Sequence, residues 1–360
     1  AGRREKYVKK QTVIDNTDKT VGEAVNVEQN NPLADSEYIL EVEHLKKYFP
    51  LGRSVGKEPV YLRAVDDVTF KVKRGTTVGI VGESGCGKTT MGRTIMRLYS
   101  VTGGKVLFNG VDLATLTPSQ LRHMRPHMQM IFQDPYSSLS PRMPVGEIIG
   151  EAVKVHHIVP PSEYKAYVLH IMKECGLPAH YFERYPHEFS GGQRQRICIA
   201  RSLALNPSLI ICDEPVSALD VSIQAQIINL LKDLQQKQNL SYIFISHDLS
   251  VVKHISDEVG VMYLGSMVEY ATTDDIFDEP LHPYTQALLS AVPVPDPDVK
   301  MQHKILVGDI PSPANPPSGC KFHTRCEHCS DICRECTPEL REVRPGHFVA
   351  CHLYDTAEEN

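Results

Sequence analysis

A glycine-rich loop between a predicted strand and a predicted helix constrains this fold more than any other feature of the sequence. Residues 78–81 form a short apolar run, residues 82–89 read Gly-Glu-Ser-Gly-Cys-Gly-Lys-Thr, and residues 90–98 have helical spacing. The loop fits G-x-x-x-x-G-K-[ST], a pattern whose backbone N–H groups and helix N-terminus surround phosphate oxygens. The sequence therefore predicts a phosphate-binding loop at the carboxyl end of a buried strand.

The same loop predicts how a nucleotide and its Mg²⁺ would be held. Lys88 supplies a cation for the β- and γ-phosphate oxygens, and Thr89 offers a hydroxyl to the metal. The glycines let the backbone N–H groups approach the phosphates closely. The predicted nucleotide-binding residues of this segment are Gly82, Ser84, Gly85, Cys86, Gly87, Lys88, Thr89 and Thr90.

Two further apolar runs end in polar residues. Residues 209–212 precede Asp213 and Glu214, and residues 242–246 precede His247. Such runs are typical of central parallel strands, whose carboxyl ends line the ligand cleft of an α/β fold. We therefore expect an α/β core with a parallel sheet, in which Asp213 holds Mg²⁺ directly or through water. The plainer alternative is a solvated pair of acids at a strand end.

A fourth segment, Ser190-Gly191-Gly192-Gln193, predicts a second anion site. Ser190 is a favourable N-cap for the helical stretch that follows, and the two glycines leave backbone N–H groups bare. Because the nucleotide of this chain is already held by the phosphate loop, this second site has none of its own to bind. The alternative is an ordinary capped helix start.

The order of these motifs along the chain resembles the ATP-binding subunit of an ABC transporter, from about residue 38 to the C-terminus. The segments that carry the resemblance are residues 82–89, Gln133, residues 190–193, residues 209–214, the Ser-Ala-Leu-Asp of residues 217–220, and His247. The resemblance implies an ABC-type P-loop ATPase with a parallel sheet core, a helical lobe and a small cysteine-rich C-terminal module. It also implies a site divided across a dimer, because in that family the Ser-Gly-Gly-Gln segment contacts the γ-phosphate of the opposite subunit. Phe189 stands where the family usually has Leu, at a position that packs rather than reacts.

The resemblance assigns roles to individual residues. Glu214 orients and activates the attacking water, while Gln133 reaches the Mg²⁺ and this water, and His247 binds the γ-phosphate. Tyr48 corresponds to the aromatic that stacks on adenine, although Phe49 or Tyr61 could serve instead. The implied catalytic residues are Glu214, His247, Lys88 and Gln133, the implied Mg²⁺ ligands are Thr89, Gln133 and Asp213, and the nucleotide-binding set also includes Asp220, Ser190, Gly191, Gly192 and Gln193.

Charge and hydropathy exclude other classes of protein. The net charge of −6 gives no reason to expect a nucleic-acid partner, which would favour a basic face. No segment approaches the ~20 apolar residues that span a bilayer, and no signal-peptide core follows the start. We therefore expect a cytosolic chain whose role at a membrane comes through its partners.

We expect three regions along the chain. Residues 1–36 are rich in polar and charged side chains and predict a solvated N-terminal tail. Residues 37–291 form the ATP-binding domain, with the helical lobe at about 146–188. Residues 292–360 combine a proline-rich linker with a cysteine-rich, metal-binding module, because six of the ten cysteines fall between Cys320 and Cys351.

This last region resembles the C-terminal extension of oligopeptide and dipeptide importer ATPases. The resemblance is carried by residues 311–320, by His-Pro-Tyr-Thr at residues 282–285 and by Pro-Gly-His at residues 345–347. It implies a four-iron, four-sulfur cluster whose ligands are Cys320, Cys326, Cys333 and Cys351. The alternatives are no metal, or a zinc site in which the additional Cys329 and Cys336 join Cys326 and Cys333.

Together these features predict an ATPase subunit of a peptide-importing ABC transporter, bound at the cytoplasmic face of the cell membrane. Its implied partners are a second ATPase subunit, homologous or identical, two transmembrane permease subunits and an extracytoplasmic peptide-binding protein. Related importers carry nickel or glutathione, so these cargoes are alternatives. A soluble ABC ATPase of DNA repair or translation, or a metal-sensing regulator, are alternatives from other classes.

Overall fold

The computed structural model describes residues 36–52, 59–291 and 308–355. Residues 1–35 of the predicted tail and residues 292–307 of the predicted linker lie outside the described residues, so both interpretations stay predictions. Within the three described ranges, no helix combines the length and the apolar character needed to cross a bilayer.

Strands make up two sheets. In chain order they are β1 (Tyr38–Pro50), β2 (Tyr61–Lys73), β3 (Thr77–Val81), β4 (Gly103–Phe108), β5 (Val111–Asp112), β6 (Met128–Ile131), β7 (Leu209–Asp213), β8 (Ser241–Ile245), β9 (Glu258–Tyr263), β10 (Ser266–Thr272), β11 (Arg341–Arg344) and β12 (His347–Val349). The larger sheet has the order β11-β12-β10-β9-β3-β8-β7-β6, and the smaller has the order β2-β1-β4-β5.

The centre of the larger sheet is parallel. The neighbouring pairs from β6 through β7, β8 and β3 to β9 all run in the same direction. Every residue of β3, β7 and β8 is buried, as expected for central strands that are covered on both faces. The predicted α/β fold with a parallel sheet core is confirmed.

Helices connect the strands and cover the sheet. They are α1 (Lys88–Ile95), α2 (Pro118–Met124), α3 (Pro135–Ser138), α4 (Val145–Val155), α5 (Tyr164–Glu174), α6 (Gly191–Leu203), α7 (Val221–Gln238), α8 (Leu249–Ile255), α9 (Thr273–Asp278), α10 (Pro283–Ser290) and α11 (Ile332–Glu335). Short 3₁₀ turns are Arg125–His127, Ala179–Tyr181, Pro186–Glu188, His323–Arg325 and His352–Tyr354. The helices α4 and α5 lie within the segment predicted as a helical lobe, and its boundaries stay a prediction.

The C-terminal region adds two strands to the main sheet. β12 pairs antiparallel with β10, and β11 pairs with β12. The junction is buried, since His347 Nε2 lies 2.7 Å from Glu269 Oε1 with both side chains almost fully covered. Glu269 also accepts hydrogen bonds from the backbone N–H groups of Leu281 and His282, at 2.6 and 3.0 Å. The sequence had not indicated that this region extends the sheet of the ATP-binding domain.

The predicted iron–sulfur cluster on Cys320, Cys326, Cys333 and Cys351 is wrong. Within the described ranges, no group of three or more His, Cys, Asp or Glu side chains is placed to hold a metal ion. The same finding removes the rival zinc set that included Cys329 and Cys336. Burial also raises the pKa of Cys320 to about 11 and that of Cys351 to about 12, which favours the protonated thiol over the thiolate that binds metals.

A buried aromatic side chain connects the C-terminal region to the ATP-binding domain. Phe322 is 2% exposed and packs edge-on against Tyr263, with ring centroids 5.3 Å apart. Its ring also lies 5.4 Å from that of Tyr284. The region thus inserts a large apolar side chain into the core of the ATP-binding domain.

Candidate active site

The glycine-rich loop connects β3 to α1 and adopts backbone conformations that only glycine takes readily. Gly82, Gly85 and Gly87 have φ angles of 146°, 81° and 106°. A Cβ atom at Gly82 would lie 2.2 Å from the carbonyl oxygen of Met262, and one at Gly87 would lie 2.1 Å from that of Ala64. Neighbouring backbone therefore requires glycine at both positions, whereas Gly85 faces open space.

Lys88 folds back over the loop. Its buried ammonium group donates hydrogen bonds to the carbonyl oxygens of Gly82 and Glu83, at 2.7 and 3.1 Å. The sulfur of Cys86 lies 3.7 Å from the same nitrogen. These contacts hold a positive charge at the centre of the loop, where phosphate oxygens can replace the carbonyls as acceptors.

Thr89, at the start of α1, contacts Asp213, at the end of β7. The Thr89 hydroxyl donates to Asp213 Oδ1 at 2.7 Å, and Arg93 approaches Asp213 Oδ2 only to 4.0 Å. Asp213 is fully buried, and its Oδ2 has no hydrogen-bond partner within the described part of the chain. Burial raises the pKa of this carboxyl above its ordinary value. A hydroxyl beside an unpaired, buried carboxylate oxygen fits Mg²⁺, which prefers oxygen ligands.

Glu214 lies at the centre of a cluster of polar side chains. Gln133 Nε2 donates to Glu214 Oε2 at 2.8 Å, and His247 Nδ1 lies 3.3 Å from the same oxygen. The Glu214 backbone has a left-handed φ of 48°, and its N–H donates to Ile245 O at 2.9 Å. The structure thus brings Gln133 and His247, which are far apart in sequence, to Glu214, the residue that follows Asp213.

The Ser-Gly-Gly-Gln segment begins α6 as a capping box. The Ser190 hydroxyl accepts from Gln193 N–H at 3.4 Å, and Gln193 Oε1 accepts from Ser190 N–H at 3.0 Å. A Cβ at Gly192 would lie 2.5 Å from a methyl group of Ile223, so this position needs glycine for packing. Phe189 is buried against Tyr181, with ring centroids 4.9 Å apart, which accounts for an aromatic residue at this packing position.

Asp220 lies elsewhere on the surface, at the N-cap of α7, and its side chain makes no capping hydrogen bond. The structure does not bring it together with the phosphate loop through any contact of the described residues. Its predicted part in nucleotide binding stays a prediction.

Tyr48 lies on β1 with its hydroxyl bonded to Asp66 Oδ1. Burial, followed by the bond to Asp66, raises the pKa of this phenol above its ordinary value. The rival Phe49 is engaged in an edge-on contact with Tyr99 at 5.3 Å. Tyr48 is connected to the phosphate loop through backbone, because Asp66 N–H donates to Gly265 O and Gly265 N–H donates to Cys86 O, at 2.7 and 2.8 Å.

Sequence reasoning missed the side chains that hold the loop from outside. Glu83 N–H donates to the hydroxyl of Tyr284 at 2.8 Å, and the Glu83 carboxylate forms two hydrogen bonds with Arg325. Tyr284 belongs to the His-Pro-Tyr-Thr motif of residues 282–285, whose pattern does not itself indicate a contact with the loop. No local pattern marks Arg325, since it is 242 residues away from Glu83.

Two family models match parts of this chain. One family model, described as ABC transporter, matches residues 65–217, and a second, described as oligopeptide/dipeptide transporter, C-terminal region, matches residues 268–333. The chain is 55% identical over 325 residues to the oligopeptide transport ATP-binding protein AppF of Bacillus subtilis, covering 89% of this chain and 99% of that protein. It is 55% identical over 313 residues to a putative peptide import ATP-binding protein of Brucella ovis, covering 87% and 97% of the two chains.

Solved structures show the same fold. The chain resembles cbiO1 of Clostridium perfringens, part of the ABC transporter complex cbiONQ, with a TM-score of 0.58 and 26% identity over 68% of this chain and 92% of that one. It also resembles the dimeric ATP-binding cassette MJ0796 in a post-hydrolysis state bound to ADP and Pi, with a TM-score of 0.57 and 26% identity over 65% of this chain and 98% of that one.

Proposed function

Because this chain belongs to the ATP-binding proteins of ABC transporters, we propose that it is the ATP-hydrolysing subunit of a peptide importer. The peptide assignment is carried by one observation, the similarity to an oligopeptide transport ATP-binding protein over nearly the whole length of that protein. The match of residues 268–333 to the oligopeptide/dipeptide C-terminal region supports the same assignment.

The phosphate loop and its helix bind the triphosphate of ATP. Lys88 exchanges its two bonds to loop carbonyls for bonds to the β- and γ-phosphate oxygens. Thr89 and Asp213 would hold the Mg²⁺, with Gln133 as a further predicted ligand. When bound, this metal neutralises the charge that develops on the phosphate oxygens.

Glu214 acts on the attacking water. Its carboxylate accepts a proton as the water oxygen bonds to the γ-phosphorus, and the bond between that phosphorus and the bridging oxygen of ADP breaks. Gln133 fixes the orientation of the carboxylate by donating a hydrogen bond to it. His247, next to the same carboxylate, binds the γ-phosphate and links it to Glu214.

A second ATPase subunit completes the site. The side chains of Ser190 and Gln193 each accept a hydrogen bond from the backbone N–H of the other residue, which leaves the N–H groups of Gly191 and Gly192 for an external anion. We assign that anion to the γ-phosphate held by the opposite subunit, which is either another copy of this chain or a homologue.

The segment that follows Gln133 is our candidate contact with the permeases. A cleft of about 400 Å³ lies beside it. Its lining residues are Arg93, Phe132, Gln133, Asp134, Ser137, Ser138 and Arg201. A change in this cleft on permease contact would move Gln133, and through it Glu214. The chain would then work at the cytoplasmic face of the membrane, beneath two permeases that receive peptide from an extracytoplasmic binding protein.

Reconstitution tests this function. The chain is co-expressed with candidate permease subunits, and the complex is placed in vesicles with a candidate peptide-binding protein. We expect co-purification, and ATP hydrolysis that oligopeptides stimulate and that Lys88→Ala abolishes. Stimulation by nickel or glutathione but not by peptides would contradict the assigned cargo.

A further inference from the structure

The C-terminal region holds the phosphate loop through a bidentate ion pair. Arg325 Nη1 donates to Glu83 Oε2 at 2.8 Å, and Arg325 Nη2 donates to Glu83 Oε1 at 3.1 Å. The two side chains are 6% and 23% exposed, so solvent screens this pair less than an ordinary surface pair. Arg325 belongs to the 3₁₀ turn His323–Arg325, far along the chain from the loop.

Glu83 is therefore fixed at every polar group. Its N–H donates to Tyr284, its carbonyl accepts from Lys88, and its carboxylate accepts from Arg325. Glu83 occupies a variable position of the loop pattern, where the phosphate chemistry itself requires no particular side chain. The Glu83 carboxylate is thus the group through which Arg325 of the C-terminal region contacts the phosphate loop.

A second contact of the same short segment reaches the adenine side of the site. Lys321 Nζ donates to Asp66 Oδ2 at 2.8 Å, to Ser266 Oγ at 2.7 Å and to the carbonyl oxygen of Leu264 at 3.1 Å. The other oxygen of Asp66 accepts from Tyr48. Burial lowers the pKa of Lys321, while the bonds that Lys321 and Tyr48 donate hold the pKa of Asp66 below its usual range despite its own burial.

Packing fixes the segment between these two contacts. Phe322 lies between Lys321 and Arg325 in sequence, and its buried ring contacts Tyr263, Tyr284 and His282. Tyr284 is the residue that accepts from Glu83 N–H. Direct contacts therefore connect Phe322 to the loop through Tyr284, and Phe322 lies in the same short segment as Lys321 and Arg325.

We propose that residues 321–325 position the nucleotide site from the C-terminal region, Arg325 acting on the phosphate loop through Glu83 and Lys321 acting on Tyr48 through Asp66. Both are positioning residues that do not touch ATP. The inference rests on the assignment of the phosphate loop and Tyr48 to ATP binding. A loop held in its binding conformation loses less freedom when ATP binds, so the contacts raise affinity rather than the rate of chemistry.

The Arg325 contact is tested with Arg325→Met in the full chain. We expect the Kd and KM for ATP to rise about three- to tenfold, as the loss of charge-assisted hydrogen bonds implies, while kcat stays within about twofold. Arg325→Lys, which keeps the charge but not the bidentate geometry, should fall between Met and wild type. Arg344→Met is the matched control, because Arg344 pairs with Glu279 in the same C-terminal region, away from the loop.

Glu83→Gln tests whether Arg325 affects ATP binding through Glu83. This variant remains informative if Arg325→Met folds poorly. This variant alone should raise the Kd for ATP to a similar degree. The double variant should bind no more weakly than the weaker single variant, because both changes remove the same pair. Additive losses, or a lower melting temperature with an unchanged Kd, would overturn the proposal and leave the pair as a docking contact only.

Inorganic tripolyphosphate separates the two contacts. Arg325→Met should weaken ATP and tripolyphosphate equally, whereas Lys321→Met should weaken ATP and leave tripolyphosphate binding unchanged. Equal effects of Lys321→Met on the binding of ATP and of tripolyphosphate would contradict the proposed action of Lys321 on Tyr48.

Lys88→Ala distinguishes failure of this proposal from failure of the assigned ATP site. If Lys88→Ala binds ATP normally the assigned site itself fails, and if only Lys88→Ala loses binding the positioning role fails.

Discussion

At the scale of single residues, Asp213 at the end of β7 and Glu214 directly after it have different environments, which suit the different roles that we propose for them. Asp213 is fully buried beneath the loop, with one oxygen bonded to Thr89. Glu214 is partly exposed and is held by Gln133 beside His247. The buried oxygen of Asp213 suits a metal ligand. The oriented, accessible carboxylate of Glu214 suits contact with a water molecule.

Replacement of Glu214 tests its role as the base. Glu214→Gln keeps the size and the hydrogen-bonding capacity of the side chain but cannot accept the proton, so we expect hydrolysis to fall by about 10²–10⁴-fold. ATP binding should remain, because Lys88, Thr89 and Asp213 are untouched, and ATP should accumulate on a stable dimer. Steady-state hydrolysis and retained nucleotide are measured. Glu147→Gln, in an exposed pair with Lys154, is the control and should behave as wild type.

The buried carboxyl of Asp213 predicts a pH-dependent stability. Burial raises its pKa in the nucleotide-free protein above the ordinary value, so the charged form is the disfavoured one. The resulting destabilisation is absent below the ordinary carboxyl pKa and develops as the pH rises through the folded pKa. Asp213→Asn should therefore raise the melting temperature at pH 8 by roughly 2 °C and change it little near pH 4.

Nucleotide reverses this effect of Asp213→Asn. The variant should lose the additional stability that Mg²⁺ and ATP confer on wild type, because an amide is a weaker ligand than a carboxylate. Thermal unfolding with and without Mg²⁺–ATP measures both effects. An equal gain in melting temperature at both pH values would contradict the linkage to this carboxyl.

At the scale of elements, the sequence predicts best what is set by local burial. The apolar runs of β3, β7 and β8 were recognisable because each strand is covered on both faces. β12 was not, since it has three residues and exists through its pairing with β10, far away in sequence. Three residues carry no readable periodicity, and the pairing depends on contacts that a linear pattern does not encode.

The candidate site divides in the same way. The loop, the two strand ends and the start of α6 are local motifs, so sequence reasoning found them. The roles of Gln133, Glu214 and His247 came from family resemblance, and their contacts could not be read from the sequence because the order of the strands brings these residues together. The ion pair between Arg325 and Glu83 could not be predicted, since it depends on where the C-terminal region packs.

We expect alanine substitutions at Gly85 and Gly87, in the loop between β3 and α1, to weaken ATP binding to different degrees. Gly87→Ala forces a positive φ on a non-glycine residue and also places Cβ against the carbonyl of Ala64, so we expect ATP binding to fall by at least about tenfold. Gly85→Ala has a similar φ but open space around its Cβ, so its loss should be smaller. Calorimetric titration with ATP compares them. A larger loss for Gly85→Ala would show that the neighbouring backbone does not set the shape of the loop.

At the scale of the whole molecule, the C-terminal region is part of the nucleotide-binding body. Its strands extend the main sheet, Phe322 enters the core, and Glu269 bonds His347 and two backbone N–H groups of the preceding segment. A buried carboxylate bonded by three donors is satisfied without a metal. Contacts with the sheet and the core of the ATP-binding domain therefore stabilise this region.

The function that we propose requires a dimer, because it assigns the phosphate loop and the Ser-Gly-Gly-Gln segment of one chain to different nucleotides. Lys88→Ala removes the loop cation, and Ser190→Arg places a bulky side chain on the surface that faces the neighbouring ATP. We expect each variant alone to be inactive. In an equal mixture, half of the dimers contain one of each chain, and one of the two sites in such a dimer combines an intact loop with an intact Ser-Gly-Gly-Gln segment. Mixing should therefore restore up to about a quarter of the wild-type rate. If mixed dimers form but hydrolysis does not recover, the two segments do not form one site across the interface.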